Sequence, residues 1–218
     1  MPTSDYHHIP DILHIVEYLK PESILDIGIG FGIYGYLFRY VLELYQGIDI
    51  KGSNLRIDGI EIYEKLKNPL WDLAYDRIFI GDAIELLDTL GYYDLITACD
   101  IIEHLSKEKG NLLIRKMIKH ARIVIITSPR DFIKTEERFG DIYDIHKTLW
   151  SRKDFIDIPH LYKEISFTFM VVLSEQKDNL KNINILKPLD NLGVKKGFIE
   201  LIKLFYKRLR LKIRCLLP

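Results

Sequence analysis

The sequence predicts an α/β protein built on a doubly wound, mostly parallel sheet with helices on both faces and a strand hairpin at its C-terminal edge. Three observations carry this. Short apolar runs alternate with segments of helical periodicity between residues 11 and 128, the pattern of a parallel sheet buried on both faces. The first run ends at a turn with glycine at 28, 30 and 32, and a helical segment follows. Glycine serves where backbone must take positive φ or approach a ligand closely, and a helix start offers free N–H groups and a positive dipole end. After Pro129 the alternation stops, and two apolar runs, 162–167 and 169–174, read as closing strands. Five parallel strands and these two make seven.

Each element has its own warrant. Residues 11–19 place apolar side chains at 12, 13, 15, 16 and 19, one face of a helix that Pro21 ends. Ile24–Ile27 is the first strand, and its helix covers about 34–44. Residues 46–54 form a loop with Gly47 and Gly52, and the second strand covers 55–62. Asn68-Pro69 breaks the next helical stretch, which resumes through 71–75. The third strand is 77–80, with a helix over about 84–90, and the fourth is 93–99. Residues 107–120 form an amphipathic helix with Leu112, Leu113, Met117 and Ile118 at its apolar positions. The fifth strand, 122–127, is rich in β-branched residues. Residues 131–144 are polar and irregular. Residues 151–158 read as a short helix with Ser151 at its N-cap and Asp154 at the capping-box position.

Length and charge bound the rest. With 218 residues, one domain is expected over 1–184, followed by a basic extension over 185–218. Lys and Arg number 31, as do Asp and Glu, so bulk charge points to no nucleic-acid role. From Lys195 onward, however, eight bases face one acid, Glu200. Cys99 and Cys215 form neither a disulfide framework nor a zinc pattern. The start M-P-T-S-D-Y-H-H lacks the regions of a signal peptide, and no apolar run reaches the length of a membrane span. A cytoplasmic protein is expected.

The chemistry starts at the glycine turn. In the dinucleotide pattern G-x-G-x-x-G, the third glycine would fall at position 33, which is Ile33. No Gly-Lys-Ser/Thr of a phosphate-binding loop follows. Instead, Asp26-Ile-Gly28-Ile-Gly30-Phe-Gly32 resembles the first motif of class I S-adenosylmethionine-dependent methyltransferases, which have a Rossmann-like fold. Further matches follow in order. Glu61 ends the second strand, Asp82-Ala83 follows the third, and Asp100 to Leu105 is similar to the D-x-x-E-H-L run of one uncharacterised branch. The resemblance covers about residues 5–174. It implies S-adenosylmethionine as cofactor, held by Asp26, Gly28, Gly30, Gly32, Glu61, Asp82, Ala83 and Asp100. Glu61 would accept the ribose hydroxyls, Asp82 the adenine amino group, and Asp26 would stand nearest the sulfonium. Two departures are visible: the 46–54 loop lengthens the path to Glu61, and Lys119-His120-Ala121 replaces the family's glycine before the fifth strand.

A methyl transfer must align donor and acceptor and take a proton from a hydroxyl acceptor. Glu103, His104 and His146 are the catalytic candidates, histidine being the natural base near neutral pH. No metal is assigned. Asp100, Glu103, His104 and His146 are also similar to the metal set of small-RNA 3′-end 2′-O-methyltransferases, with Trp150-Ser151-Arg152 standing at the matching helix start. The expected acceptor is an oxygen or nitrogen of a small molecule, with cell-surface saccharide precursors suggested by similarity to uncharacterised bacterial methyltransferases. A metal-dependent RNA methyltransferase and a non-catalytic cofactor-binding module are the alternatives. Tyr6, His7 and His8 read either as a lid over the cofactor or as a plain terminus. The basic segment 195–217 has apolar residues at 198, 201, 202, 205 and 209. As a helix it suits peripheral contact with an anionic membrane or packing on the domain, and RNA less well.

Overall fold

The computed structural model describes residues 5–131 and 142–183. The 185–218 extension, with its predicted boundary and amphipathic helix, lies outside the described residues.

Helix α1 is Ile9–Leu19, β1 Ser23–Ile27, α2 Ile33–Leu42, β2 Arg56–Glu61, α3 Pro69–Ala74 and β3 Arg77–Ile80. Then come α4 (Ala83–Leu86), β4 (Tyr93–Cys99), α5 (Lys107–His120), β5 (Ala121–Pro129), β6 (His160–Ile165) and β7 (Thr168–Leu173). The strands form one sheet in the order β3-β2-β1-β4-β5-β7-β6. The first five are parallel, and β7 runs antiparallel to both β5 and β6. The predicted seven strands and terminal hairpin are therefore present.

Strand periodicity explains the two cores. Successive side chains point to opposite faces. Ile24, Ile57, Leu95 and Ile123 pack with α1, α2 and α3. Leu25, Ile27, Ile96 and Val124 pack with α5 and with Trp150 and Phe155. Both layers are closed by rings under glycine: a Cβ on Gly110 would meet the Trp150 ring at 2.3 Å, and one on Gly35 would meet Tyr75 at 2.4 Å.

Three predicted elements differ in detail. The helix expected over 151–158 is only a 3₁₀ turn, Arg152–Phe155, although the Asp154 carboxylate does accept from the Ser151 N–H at 2.7 Å. The helix expected over 84–90 stops at Leu86 and tightens into a 3₁₀ turn. The hairpin lies earlier than expected, because Ile165 pairs with Thr168 and leaves Ser166 and Phe167 as the turn. Strand order reverses between β1 and β4, and in open α/β sheets that crevice, at the strands' carboxyl ends, receives ligands.

Candidate functional site

A cavity of about 840 Å³ opens at those strand ends, within the range of small-molecule and cofactor sites. Its two walls come from different strands.

The first wall is the turn after β1. Gly28, Gly30 and Gly32 all have positive φ, and a side chain at Gly28 would strike Ile101 at 1.9 Å. The turn is held from below. The Glu61 carboxylate accepts from the Gly30 N–H at 2.8 Å and the Tyr63 N–H at 2.9 Å, and the Trp71 indole donates to the Gly30 carbonyl at 2.8 Å. Asp82 caps α4, accepting from the Ile84 N–H at 2.8 Å. Gly28, Gly30, Glu61, Asp82 and Ala83 line the cavity.

The second wall is the 3₁₀ turn Ile102–His104 after β4. Segment 145–150 is tied to it. The Glu103 carbonyl accepts from the Lys147 and Thr148 N–H groups at 2.7 and 3.1 Å, the Thr148 hydroxyl donates to the Leu105 carbonyl at 2.7 Å, and Trp150 donates to the Ile102 carbonyl at 3.0 Å. These bonds bring His146 against His104, with ring centroids 4.8 Å apart and nearly perpendicular. The Glu103 carboxyl is buried and accepts from the Ser128 hydroxyl at 3.0 Å. Among the described residues, its other oxygen and His104 Nδ1 are buried without a hydrogen-bond partner. Burial pushes the Glu103 carboxyl well up, with the Asp100 charge adding to it. Burial, then the neighbouring His146, lowers His104 to about 4. The imidazole is therefore neutral near neutral pH.

Three expected site residues are placed differently. Asp26 does not line the cavity. It shares the strand face that packs under α2 and α3, and its carboxylate accepts from Tyr75 and Thr97 hydroxyls, each at 2.7 Å. Burial raises it to about 6, against the lowering effect of both hydrogen bonds. Its place is beneath the turn, as a brace. Gly32 is absent from the lining too; it starts α2 at φ 84°, over Trp71. Asp100 lines the cavity, yet among the described residues Glu103, His104 and His146, without Asp100, bring ligand atoms together, all within 4.8 Å of one another. Asp100 is turned elsewhere: its carboxylate accepts from the Asp5 N–H at 3.0 Å and the Thr127 hydroxyl at 2.9 Å.

Sequence reasoning missed several participants. Trp71 and Tyr75 stood out only as part of a helical stretch, yet they hold the glycine turn and Asp26. Ser128, just past the predicted fifth strand, and Asp5 carried no signal; Phe167 at the hairpin turn also lines the cavity.

No family model and no curated protein sequence matches the chain. Solved structures do. The methyltransferase domain of bacterial CtHen1 is 16% identical with a TM-score of 0.54, over 77% of this chain and 97% of that one. CalS10 with S-adenosylmethionine bound, an amino pentose methyltransferase of Micromonospora echinaspora, is 12% identical with a TM-score of 0.54, over 79% and 92%. An O-methyltransferase family protein of Burkholderia thailandensis is 9% identical with a TM-score of 0.52, over 78% and 56%. At these identities the likeness is one of architecture: the chain has the Rossmann-like fold of the S-adenosylmethionine-dependent methyltransferases.

Proposed function

We propose that the protein is an S-adenosylmethionine-dependent methyltransferase acting on an oxygen or nitrogen of a small-molecule acceptor. The observation that carries this is a single cavity joining a braced glycine turn to a pair of histidines. The residues fit the cofactor. Gly28 and Gly30 line the cavity without side chains of their own, Glu61 would offer its carboxylate to the ribose hydroxyls, and Asp82 and Ala83 would meet the adenine. When bound, S-adenosylmethionine supplies an electrophilic methyl group on a sulfonium.

The chain's own groups do the rest. His104, neutral near neutral pH, or His146 accepts the acceptor's proton, while the other ring holds the acceptor in line. The Glu103 carboxyl, steadied by Ser128, faces the same space. A saccharide is the first acceptor to try, since CalS10, which has this fold, is an amino pentose methyltransferase. Calorimetric titration of the full chain with S-adenosylhomocysteine tests the cofactor assignment: saturable one-to-one binding is expected, and no binding overturns it.

One observation favours a second reading, a metal-dependent enzyme. Glu103, His104 and His146 converge, and two of their ligand atoms are buried without a partner among the described residues. Two imidazoles and a carboxylate suit zinc, iron or manganese. Elemental analysis of purified protein, with His146→Ala as control, decides it; a metal content equal in both proteins rejects it. The basic segment 195–217 is assigned to an anionic lipid surface. Liposome sedimentation that is the same without residues 195–218 would reject that role. Among the described residues no helix is long and apolar enough to cross a membrane.

A further inference from the structure

We propose that residues 5–8 form a clasp over the cofactor end of the cavity, latched by the hydrogen bond from the Asp5 N–H to the Asp100 carboxylate, which makes Asp5 and Asp100 positioning residues for cofactor retention. The inference rests on the cofactor reading above for its ligand, but the latch stands on geometry alone.

Asp5 and Asp100 lie 95 residues apart and meet at 3.0 Å. Asp5 also organises the segment behind it. Its carboxylate accepts from the His7 N–H at 3.1 Å and meets His7 Nδ1 at 2.6 Å, closing the 3₁₀ turn Tyr6–His8. Asp5 and Tyr6 then line the same cavity as Gly28 and Gly30. Beyond the turn the chain is firmly held: His8 is fully buried, and Lys163 on β6 pairs with Asp11 on α1 at 2.6 Å. The segment therefore joins a fixed helix at one end and is fastened at Asp5 by Asp100.

Asp100 is built for that task. It is a non-glycine residue at φ 54°, a conformation that side chains disfavour and that persists only where surroundings impose it. Here β5 imposes it. The Asp100 N–H donates to the Thr127 carbonyl at 3.0 Å and approaches the Thr127 hydroxyl at 3.1 Å, and that hydroxyl donates to the Asp100 carboxylate. The carboxylate is thereby aimed at the clasp. His8 Nε2, buried without a hydrogen-bond partner among the described residues, stands 4.0 Å from the other Asp100 oxygen. The latch closes over a ligand that must enter and leave on every turnover, so its strength sets a release rate.

The Asp5 conformation permits a clean test. Its φ of −61° is that of proline. Asp5→Pro deletes the donating N–H together with the carboxylate, whereas Asp5→Ala deletes the carboxylate and keeps the N–H. The full chain and both variants are compared by hydrogen exchange over residues 6–13 and by stopped-flow release of S-adenosylhomocysteine. Asp5→Pro is expected to exchange faster than Asp5→Ala and to release the ligand about tenfold faster, as loss of one charge-assisted hydrogen bond predicts. Equal exchange in the two variants overturns the latch. Faster exchange with unchanged release overturns the role in cofactor retention. If the unaltered chain binds no S-adenosylhomocysteine, the cofactor reading fails instead, and the exchange contrast alone decides the latch.

Discussion

The two walls of the cavity are made of the same residue types and treat them oppositely. On the glycine side the acidic groups are occupied: Glu61 holds two backbone N–H groups, Asp82 caps a helix, and Asp26 takes two hydroxyls. On the histidine side, Glu103 and His104 each keep a buried polar atom without a partner among the described residues. A buried unsatisfied group costs roughly 1–3 kcal/mol. The first wall thus spends its polar groups on rigidity, as a site for one invariant ligand requires. The second keeps groups unspent, and a strained or unsatisfied group inside a cavity is a hypothesis of function.

The widest predicted separation between the walls is in ligand affinity. Glu61→Ala should weaken S-adenosylhomocysteine binding about 100-fold, on the order of 2.7 kcal/mol, because it removes both the carboxylate and the brace on Gly30. His104→Ala should change it less than about threefold. Calorimetry on both variants checks this, and equal losses would erase the division.

Stability should separate them next. A Cβ on Gly35 would lie 2.4 Å from Tyr75, whose hydroxyl is fixed on Asp26 at 2.7 Å. Gly35→Ala should therefore cost about 1–3 kcal/mol through overpacking, seen as a lower denaturant midpoint. Trp71→Phe, which loses the bond to the Gly30 carbonyl and part of a fully buried ring, should cost about 1–3 kcal/mol.

The pH dependence of unfolding sharpens the histidine wall. His104 drops from the usual 6.5 to about 4 on folding. Between those values the unfolded chain holds a proton the folded chain does not, so this group's stabilisation is full above 6.5 and lost as pH falls toward 4. Glu103 is shifted upward, so its contribution is full below the usual 4.5 and lost as pH rises through its folded value. Each slope is bounded at about 1.4 kcal/mol per pH unit. Denaturant titrations should lose the acid-side slope in His104→Gln and the alkaline-side slope in Glu103→Gln. The smallest effect expected is in His146→Ala, at most about 1 kcal/mol on stability, because backbone and Trp150 bonds hold segment 145–150 without its ring.

Much of this was legible in the residues. The alternation of apolar runs marked all seven strands, and their period of two assigned Ile24 and Leu25 to opposite faces. Glycines at 28, 30 and 32 marked the turn, since each takes a φ that side chains resist. Other features were not legible. The hairpin slipped because its turn uses Ser166 at φ 53° in place of glycine, and the helix over 151–158 shrank to one turn.

The division has a physical reason. Periodicity and backbone preference are properties of neighbouring residues, so the sequence by itself determined the sheet, its two covered faces and the position of the glycine turn. Which group a carboxylate meets depends on residues far apart in the chain. Asp26 met Tyr75, 49 positions on; Glu61 met Gly30, 31 positions back; Asp100 met Asp5, 95 positions back. Only the tertiary structure could decide that the first is a brace, the second a cradle and the third a latch.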